Sequence, residues 1–356
     1  MVERMAIEAS DMLLLNEQDI HQCTDIAGIL AILARDYRAS VRMLDKVPAR
    51  QIIEHRSHRA FSLFMPASLP ESQVMGIKVS SFFPANPRRG LAAINGAVLL
   101  LDPETGRLQA MLDSGALTAL RTAAMSALVT DRLCPMTQPT LAVLGAGVQA
   151  GAHIRAIAAI RKLRRIKVVS RSIDRCRAFA TALSAQIGVP VEAVSSVGQA
   201  LADADIVCTT TSHDREEPLV LAHQLKPGVH INAIGGSTLQ ACEVDPGLLG
   251  HALIHVDDPQ AAMRESGEVS QALARSLITP RQITALDALL HKPPSPRHAA
   301  ISYFRCVGHA SQDMLVARHL YTTALERQLG RWCDYLSGST KNHTQGHRQP
   351  APNGEG

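Results

Sequence analysis

The chain has 356 residues, of which 46% are hydrophobic and 19% are charged, and its formal net charge is +4. This length favours two domains, and the composition is typical of a water-soluble globular protein. The small net charge and the 3% aromatic content argue against a nucleic-acid-binding surface. No segment approaches the roughly 18 consecutive apolar residues that a membrane-spanning helix needs, so we expect no membrane partner.

The start of the chain and its cysteines bear on its compartment. The first ten residues include acidic side chains and lack the apolar core of a signal peptide, so we predict a cytoplasmic location. The seven cysteines form no Cys-x-x-Cys pair, which favours reduced thiols over a disulfide framework or a zinc site. The close histidine pairs, His55 with His58 and His343 with His347, lie in basic or polar surroundings, and we predict no metal site.

The first 135 residues predict an α+β domain with antiparallel strand pairing. A helical pattern runs over 19–43, and a second helix is predicted over 118–133. Alternating segments between them predict strands at 60–65, 74–80, 96–101 and 108–112. A turn signal, Asp-Pro-Glu-Thr-Gly, separates the last two strands, as expected where neighbouring strands reverse direction.

The segment 140–150 is the clearest motif in the chain. The apolar run 141–144 leads directly into Gly145-x-Gly147-x-x-Ala150, and an Ala- and Ile-rich helical pattern follows. A strand, a tight glycine turn and a helix N-terminus in this order bind the pyrophosphate of a dinucleotide. The turn requires Gly145, while Gly147 lets the backbone approach the phosphates. A plain strand–helix turn is the alternative interpretation of this motif.

The end of the next predicted strand, 166–170, indicates which dinucleotide is preferred. An NAD-specific site places a carboxylate there to bind the ribose hydroxyl. This chain has Ser170-Arg171-Ser172 instead, and no carboxylate occurs before Asp174. A permanently charged guanidinium suits a 2′-phosphate, so we predict that NADP(H) is preferred, with NAD(H) possible. Alternatively, Arg171 is one more charge in a solvated basic segment.

Strands and helices alternate between about residues 140 and 296. A helix is predicted over 172–187, and further strands at 191–194, 205–210, 230–234 and 252–256. Repeated βα units with apolar strands are typical of a doubly wound parallel sheet with helices on both faces. We therefore predict the fold class α/β, with a Rossmann-type NAD(P)-binding domain over 136–299 and a linker over 280–297.

The remaining segments are predicted to complete and extend the first domain. A helical pattern over 301–329 is predicted to pack back on residues 1–135, so that 300–330 complete a discontinuous α+β domain. Residues 337–356 are Ser, Gly, Lys, His, Gln, Pro and Asn with almost nothing to bury, and we predict a disordered tail.

Several segments together resemble the ornithine cyclodeaminase/mu-crystallin family. The resemblance begins with Arg121-Thr-Ala-Ala124 on a predicted helix, followed by Val143-Leu-Gly-Ala-Gly-Val-Gln149. Further matches occur in the same order at 47–50, 64–67, 76–78, 230–235, 265–268 and 308–313. The resemblance covers about residues 10–325. It implies a small amino or imino acid as substrate, and a homodimer in which the first domains pair into a shared barrel.

The resemblance also implies roles for three bases that line the cleft in this family. Arg50 and Arg121 correspond to arginines at the substrate and cofactor, and Lys78 to a lysine that faces the substrate. Without the resemblance, each would be interpreted as an ordinary surface base. The catalytic candidates are Lys78 and Arg121. The substrate-binding candidates are Arg50, Lys78, Arg121, Ser237 and Val307. The cofactor-binding candidates are Arg121, Gly145, Gly147, Val148, Gln149, Ala150, Ser170, Arg171, Ser172, Thr210 and Gly235.

These roles suit the chemistry of an imino acid. A guanidinium binds a carboxylate through two parallel hydrogen bonds, which fixes the substrate beside a nicotinamide. Lys78 lies in an apolar strand, where desolvation favours loss of its proton.

One departure from the family pattern bears on the reaction. Cyclodeaminases of the family have a Gly-Gly-Asp-Cys-Pro-Gly-Lys segment whose aspartate is a base or an ammonium partner. This chain has Gly235-Gly-Ser237-Thr-Leu-Gln240, and its next carboxylate is Glu243. A serine here resembles the mu-crystallin-like ketimine reductases.

We predict an NAD(P)H-dependent oxidoreductase that reduces a C=N bond next to a carboxylate. This class includes ketimine or Δ1-pyrroline-2-carboxylate reductases and N-substituted amino-acid dehydrogenases. Two alternatives stay open: an ornithine cyclodeaminase, which is an ammonia lyase with recycled NAD, and a non-catalytic nucleotide- or ligand-binding protein.

Overall fold

Two β-sheets organise the molecule in this computed structural model, which describes residues 11–39, 47–236, 238–293 and 300–334. The strands are β1 Asp11–Leu15, β2 Gln51–His55, β3 Ala60–Leu69, β4 Val74–Phe82, β5 Ile94–Leu101, β6 Leu108–Asp113, β7 Thr140–Leu144, β8 Arg165–Val169, β9 Val191–Ala193, β10 Ile206–Thr209, β11 His230–Ala233, β12 Ala252–Val256, β13 Ile283–Ala285, β14 Ile301–Arg305 and β15 Arg331–Asp334. The α-helices are Glu17–Cys23, Ile26–Ala39, Ser114–Leu133, Val148–Ile160, Ile173–Ile187, Val197–Leu201, Pro246–Leu249, Pro259–Glu265, Gly267–Ala274, Leu286–His291 and Ala310–Arg327.

The first sheet has seven strands in the order β15-β1-β6-β5-β4-β3-β2. Its pairs are antiparallel except for β1 with β6, which are parallel. Strands β3 and β4 alternate between buried and more exposed side chains, because one face of the sheet packs against helices. Helices Ser114–Leu133 and Ala310–Arg327 contribute to that core through Leu117, Met125 and Met314.

The second sheet has eight strands in the order β13-β12-β14-β11-β10-β7-β8-β9, and all its pairs are parallel. Every residue of β7, β10 and β11 is buried, as expected for central strands with helices on both faces. The predicted doubly wound parallel sheet is therefore present. The carboxyl ends of its strands share one edge, where ligands of this fold class bind.

Small side chains bring the two parts of the molecule close together. Ala123 and Ala127 of helix Ser114–Leu133 pack against Ala156 of helix Val148–Ile160 in a separate apolar cluster. Because these side chains end at Cβ, the two helix backbones approach closely. This contact fixes the helix that carries Arg121 against the helix that follows the glycine turn.

Three predictions about local structure were wrong in part. The helix predicted over 19–43 is two helices, interrupted where the backbone of Thr24 is extended; residues 40–43 lie outside the described residues. The predicted linker 280–297 contains strand β13 and helix Leu286–His291, because three of its leucines are buried in the core. Strands β1, β2 and β15 were not predicted.

The third prediction that was wrong in part is the segment 301–329, which was predicted to be one helix. Its first five residues form β14, which lies between β11 and β12 in the parallel sheet. Tyr303 and Phe304 are fully buried there, which a central strand permits. Only Ala310–Arg327 is helical and packs on the first sheet. The predicted tail 337–356 lies outside the described residues.

Among the described residues, no helix combines the length and apolarity required to cross a membrane.

Candidate active site

The predicted glycine turn lies at the carboxyl end of β7. Gly145 has φ +115°, a conformation that side chains other than glycine rarely adopt. A Cβ on Gly145 would lie 2.7 Å from the carbonyl oxygen of Thr210. The Thr210 hydroxyl donates to the Leu144 carbonyl at 2.9 Å and holds the end of β10 against the turn. Glycine is therefore required at position 145 by both torsion and space.

The helix after this turn offers an open N-terminus. Gly147 is its N-cap residue and forms no side-chain capping bond, so the first backbone N–H groups of the helix can bind an anion. No atom lies within 4 Å of a Cβ built on Gly147. Val148 is 72% exposed, Gln149 follows it, and Ala150 is fully buried under the sheet. Open space, free donors and a buried small residue fit a dinucleotide pyrophosphate.

The neighbouring strand β8 ends beside the turn, with Ser170-Arg171-Ser172 directly after it. The Ser170 hydroxyl donates to the Ser172 carbonyl at 3.0 Å, and the Ser172 hydroxyl caps the next helix by accepting from Arg175 N. Arg171 is exposed. The guanidinium is therefore accessible to a ligand at this edge of the sheet.

Two buried bases share one carboxylate. Lys78 Nζ lies 2.8 Å from Asp313 Oδ2, and Arg121 Nε lies 3.0 Å from Asp313 Oδ1. Lys78 comes from β4, Arg121 from helix Ser114–Leu133 and Asp313 from the first turn of helix Ala310–Arg327. Lys78 is 2% exposed and Arg121 is 6% exposed. The three groups are therefore nearly dry, and their charges interact more strongly than they would in water.

Burial changes the proton affinities of this cluster. Desolvation lowers the pKa of Lys78 to about 8, although the Asp313 carboxylate favours the protonated form. For Asp313, desolvation favours the protonated acid, but Lys78 and Arg121 outweigh it and hold the pKa below its usual value. At neutral pH the cluster thus contains an ionised carboxylate and a lysine that can release its proton readily.

Gly308 lies between Arg121 and Arg50. Arg50 Nη2 donates to the Gly308 carbonyl at 2.5 Å and to the Val307 carbonyl at 3.1 Å. Gly308 has φ +82°, and a Cβ there would lie 2.6 Å from Arg121 Nη2. The third predicted base is thus adjacent to the other two. Its Nε also lies 3.4 Å from Oε2 of Glu265.

A second carboxylate, Asp257 at the end of β12, fixes the loop that carries Val307 and Gly308. It accepts hydrogen bonds from Val307 N at 2.9 Å and from Gly308 N at 2.8 Å. It also accepts from Gln312 Nε2 at 3.0 Å, and Gln312 Oε1 in turn accepts from Arg121 Nη1 at 3.0 Å. Asp257 therefore positions both the backbone that holds Arg50 and the side chain that orients Arg121.

The Gly235–Gly236 turn after β11 is held in place by buried charged side chains. Arg305 Nη1 donates to the Gly235 carbonyl at 2.5 Å, and Arg305 Nη2 donates to the Gly236 carbonyl. Glu243 is fully buried and lies so close to Gly235 that any Cβ there would overlap its carboxylate. Glu268 accepts from Glu243 N at 2.9 Å. These contacts fix the turn at the edge of the sheet where strands β7, β8 and β10 also end.

A cavity of about 450 Å³ opens beside Arg50, Val307 and the Gly235–Gly236 turn. Its charged lining includes Arg50, Glu265 and Arg305. Glu54, Arg56 and Arg59 are the other charged residues of its wall. Its apolar lining is formed by Ile52, Ala60, Phe61, Leu63, Ile234, Cys306 and Val307. The cavity therefore suits a small ligand with an apolar body and a charged end.

The structure brings together many of the predicted residues, in two groups. Lys78 and Arg121 share Asp313, and Arg121, Arg50 and Val307 lie around Gly308. The cofactor candidates of the glycine turn, the β8 tip, Thr210 and Gly235 share the carboxyl edge of the parallel sheet. The Arg121 guanidinium contacts the 306–313 segment rather than the glycine turn. Ser237 lies outside the described residues. The roles of all these candidate residues in binding and catalysis stay predictions.

Sequence reasoning missed the residues that hold the site in shape. They are Asp257, Glu265, Arg305, Gln312 and Asp313, although Glu265, Gln312 and Asp313 lie within matched family segments. An available signal was the position of Asp257, an acidic residue directly after a buried apolar strand. Among the described residues, no three His, Cys, Asp or Glu side chains come together as metal ligands.

Comparison with known proteins identifies the family. The model of the ornithine cyclodeaminase/mu-crystallin family matches residues 11–328. The chain belongs to this family. The predicted resemblance is therefore confirmed over nearly the whole described chain.

Two relatives and one solved structure are similar over most of their length. Delta(1)-pyrroline-2-carboxylate reductase of Bacillus cereus (strain ZK / E33L) is 30% identical over 292 residues, 81% of this chain and 89% of that protein. Ketimine reductase mu-crystallin of Mus musculus is 31% identical over 275 residues, 77% and 84% of the two chains. The structure of Thermococcus litoralis Delta(1)-pyrroline-2-carboxylate reductase in complex with NADH and L-proline is 28% identical, has a TM-score of 0.84 and covers 90% of this chain and 99% of that one.

We predict that Gly308→Ala destabilises the protein more than Gly188→Ala does. Both glycines have positive φ, so both changes carry a backbone penalty of about 1–2 kcal/mol. Only at position 308 does the new methyl group meet a guanidinium that Asp313 and Gln312 hold in place. Denaturant unfolding should show an additional loss of about 1–3 kcal/mol for Gly308→Ala. Equal losses for the two variants would contradict the close packing inferred here.

Proposed function

We propose that this protein is an NAD(P)H-dependent reductase of a C=N bond next to a carboxylate, acting on a small cyclic or N-substituted imino acid. The observation that carries the proposal is a linked group of three bases beside a cavity of about 450 Å³ that Arg50 lines. Lys78 and Arg121 share Asp313, and Arg121 meets Arg50 at Gly308. The relatives named reductases of pyrroline-2-carboxylate and ketimines support the same reaction class.

In this proposal the arginines orient the substrate. Arg50 is fixed by two backbone carbonyls and lines the cavity, so the other N–H groups of its guanidinium can donate hydrogen bonds to a carboxylate. Arg121 adds positive charge from below, through the Gly308 contact. The apolar wall around Phe61 and Val307 then holds the body of the substrate and excludes water from the reacting bond.

Lys78 is the proposed proton source. Reduction of an imine adds a hydride to carbon and needs a proton on nitrogen. A lysine whose pKa is about 8 is mostly protonated at neutral pH, yet it gives up its proton far more readily than an exposed lysine does. Asp313 holds the Lys78 ammonium in place before the proton transfer, and it binds the ammonium again once Lys78 has taken up a new proton.

The chain fits a dinucleotide at the edge of the parallel sheet. The residues that would hold it are Gly145, Gly147 and Gln149 at the pyrophosphate, with Thr210 and Gly235 at the neighbouring strand ends. When bound, NADPH supplies the hydride. We propose NADP(H) over NAD(H), because exposed Arg171 follows β8 where a carboxylate would select NAD(H).

Ornithine cyclodeamination is the second candidate, and the fate of Glu243 argues against it. With serine at position 237, Glu243 is the next carboxylate along the chain. It accepts hydrogen bonds from Thr209 Oγ1 at 2.6 Å and from Thr211 N at 2.9 Å, and it is fully buried. Glu243 is therefore occupied beneath the Gly235 turn and cannot bind a substrate ammonium.

Two assays on the same protein test the proposed function. Imino acids formed in place from 2-oxo acids and amines, together with Δ1-pyrroline-2-carboxylate, are offered with NADPH, and its oxidation is followed by absorbance. We expect stoichiometric NADPH consumption with at least one of them. Ammonia release from ornithine with catalytic NAD and no net redox change would instead identify a cyclodeaminase. No turnover in either assay would leave a binding protein.

We predict that Lys78→Met lowers kcat by about two to four orders of magnitude, the usual range for a positioned proton-transfer group. In the wild type, kcat/KM for reduction should fall as the pH rises through about 8, because Lys78 loses its proton there. Lys162→Met, at an exposed position, is the matched control and should keep the wild-type rate. A flat wild-type profile between about pH 7 and pH 9 would speak against Lys78 as the donor.

We predict that Arg171→Asp raises KM for NADPH about 10- to 100-fold and spares NADH. The lost contact is a charge-assisted hydrogen bond, typically about 1.5–3 kcal/mol, and the new carboxylate repels a 2′-phosphate. Arg177→Asp, farther along the following helix, controls for a general change of charge. An equal loss for both cofactors would show that Arg171 does not read the 2′-phosphate.

A homodimer and a cytoplasmic location complete the proposal. Strand β2 is an edge of the first sheet, and its Ile52 and Ile53 are 53% and 51% exposed, which supports pairing with a second copy. A monomer mass in light scattering at micromolar concentration would exclude the dimer. Reduced thiols are consistent with the cytoplasm, and fractionation of the native protein would test the location.

A further inference from the structure

The pair formed by Arg50 and Glu265 separates two cavities. One is the cavity of about 450 Å³ described above, and the other has a volume of about 420 Å³. Both residues line both cavities. His309 and Arg264 belong to the wall of the second. Glu265 therefore lies beside the Arg50 guanidinium at the wall of each cavity.

Arg50 does not depend on Glu265 for its position. Its Nη2 is held by the carbonyls of Gly308 and Val307, and those in turn are fixed through Asp257. Glu265 approaches only Nε, at 3.4 Å, which is longer than a good charge-assisted hydrogen bond. The Arg50 side chain is 14% exposed and the Glu265 side chain is 27% exposed, so solvent reaches this ion pair at the cavity surface. The carboxylate can leave without releasing the arginine.

We propose that Glu265 is a built-in competitor for Arg50, holding the place that the substrate carboxylate takes, and that protonation of Glu265 opens the site. This inference rests on the proposed function, because it assumes that a carboxylate-bearing ligand binds Arg50. Glu265 presents to Arg50 the same functional group as the substrate. Only one of the two carboxylates can occupy the Nε edge at a time.

The surroundings of Glu265 set the direction of its pH dependence. Burial raises the pKa of Glu265, and the negative charges of Asp257 and Asp258 add to that effect, while Arg50 and Arg264 oppose it. As the pH falls through this raised pKa, Glu265 becomes neutral and releases Arg50. The ligand carboxylate stays ionised, so its apparent affinity should rise. His309, in the second cavity, also titrates in acid, so the effect of Glu265 must be isolated by a variant.

We expect Glu265→Gln to tighten the binding of a carboxylate ligand about three- to tenfold at about pH 8, the size of one partly exposed ion-pair competition. Isothermal titration of the NADPH-loaded protein with L-proline gives Kd directly, because the reduced cofactor cannot oxidise the amino acid. The advantage of the variant should shrink toward onefold as the pH is lowered, because the wild-type glutamate then takes up its own proton. Glu54→Gln is the matched control. It removes a glutamate from the same cavity wall, but that glutamate pairs with Arg56 and not with Arg50.

The double variant Arg50→Ala/Glu265→Gln should bind no tighter than Arg50→Ala alone, since the competition needs the arginine. Weaker or unchanged binding by Glu265→Gln at every pH overturns the proposal, as does an equal gain in Glu54→Gln. Failure of L-proline to bind either the wild type or Glu265→Gln overturns it as well. Titration requires no turnover, so a gain in affinity without imine reduction would reject the proposed function and retain the competition.

Discussion

The shared carboxylate of Asp313 is the interaction on which the rest of the site depends. It lies in the first turn of one helix and binds a lysine from the first sheet and an arginine from a second helix. Each base alone would be costly to bury, because an unpaired charge in a dry site loses its hydration without compensation. Removing one partner of a buried pair typically costs about 3–5 kcal/mol. The carboxylate thus permits two positive charges to be buried side by side, one of them against Gly308 in the loop that binds Arg50.

A second constraint links this cluster to the parallel sheet. Asp257 follows β12 and accepts both backbone N–H groups of Val307 and Gly308. Strand β14 lies beside β12, so the loop leaving β14 reaches Arg50 and Arg121 from the nucleotide-binding half of the molecule. One fixed loop therefore joins the parallel sheet to Arg50 and Arg121, and a change at Asp257 should disturb the positions of both arginines.

Local features of this fold were readable from the sequence, and long-range ones were not. The glycine turn was predicted because the apolar run, Gly145 and the helical pattern are contiguous. Lys78 was recognised through the family resemblance and its apolar strand. By contrast, β14 was wrongly predicted as helix. Its place between β11 and β12 depends on the order of strands in the sheet, which the local sequence does not show. The pairing of Lys78 with Asp313 spans most of the chain, and nothing local in the sequence specifies it.

The carboxylates around the site explain why reduction is favoured over deamination. Asp313 is held between two bases, and Asp257 accepts from the 307–308 backbone. Glu243 and Glu268 lie beneath the Gly235 turn, where Thr209, Thr211 and the backbone satisfy them. Two glutamates line the cavity, and each is paired with an arginine: Glu265 with Arg50, and Glu54 with Arg56. A substrate with a second ammonium would thus find no unoccupied partner among these carboxylates, whereas in the proposed function an anionic imino acid pairs with Arg50 and takes its proton from Lys78.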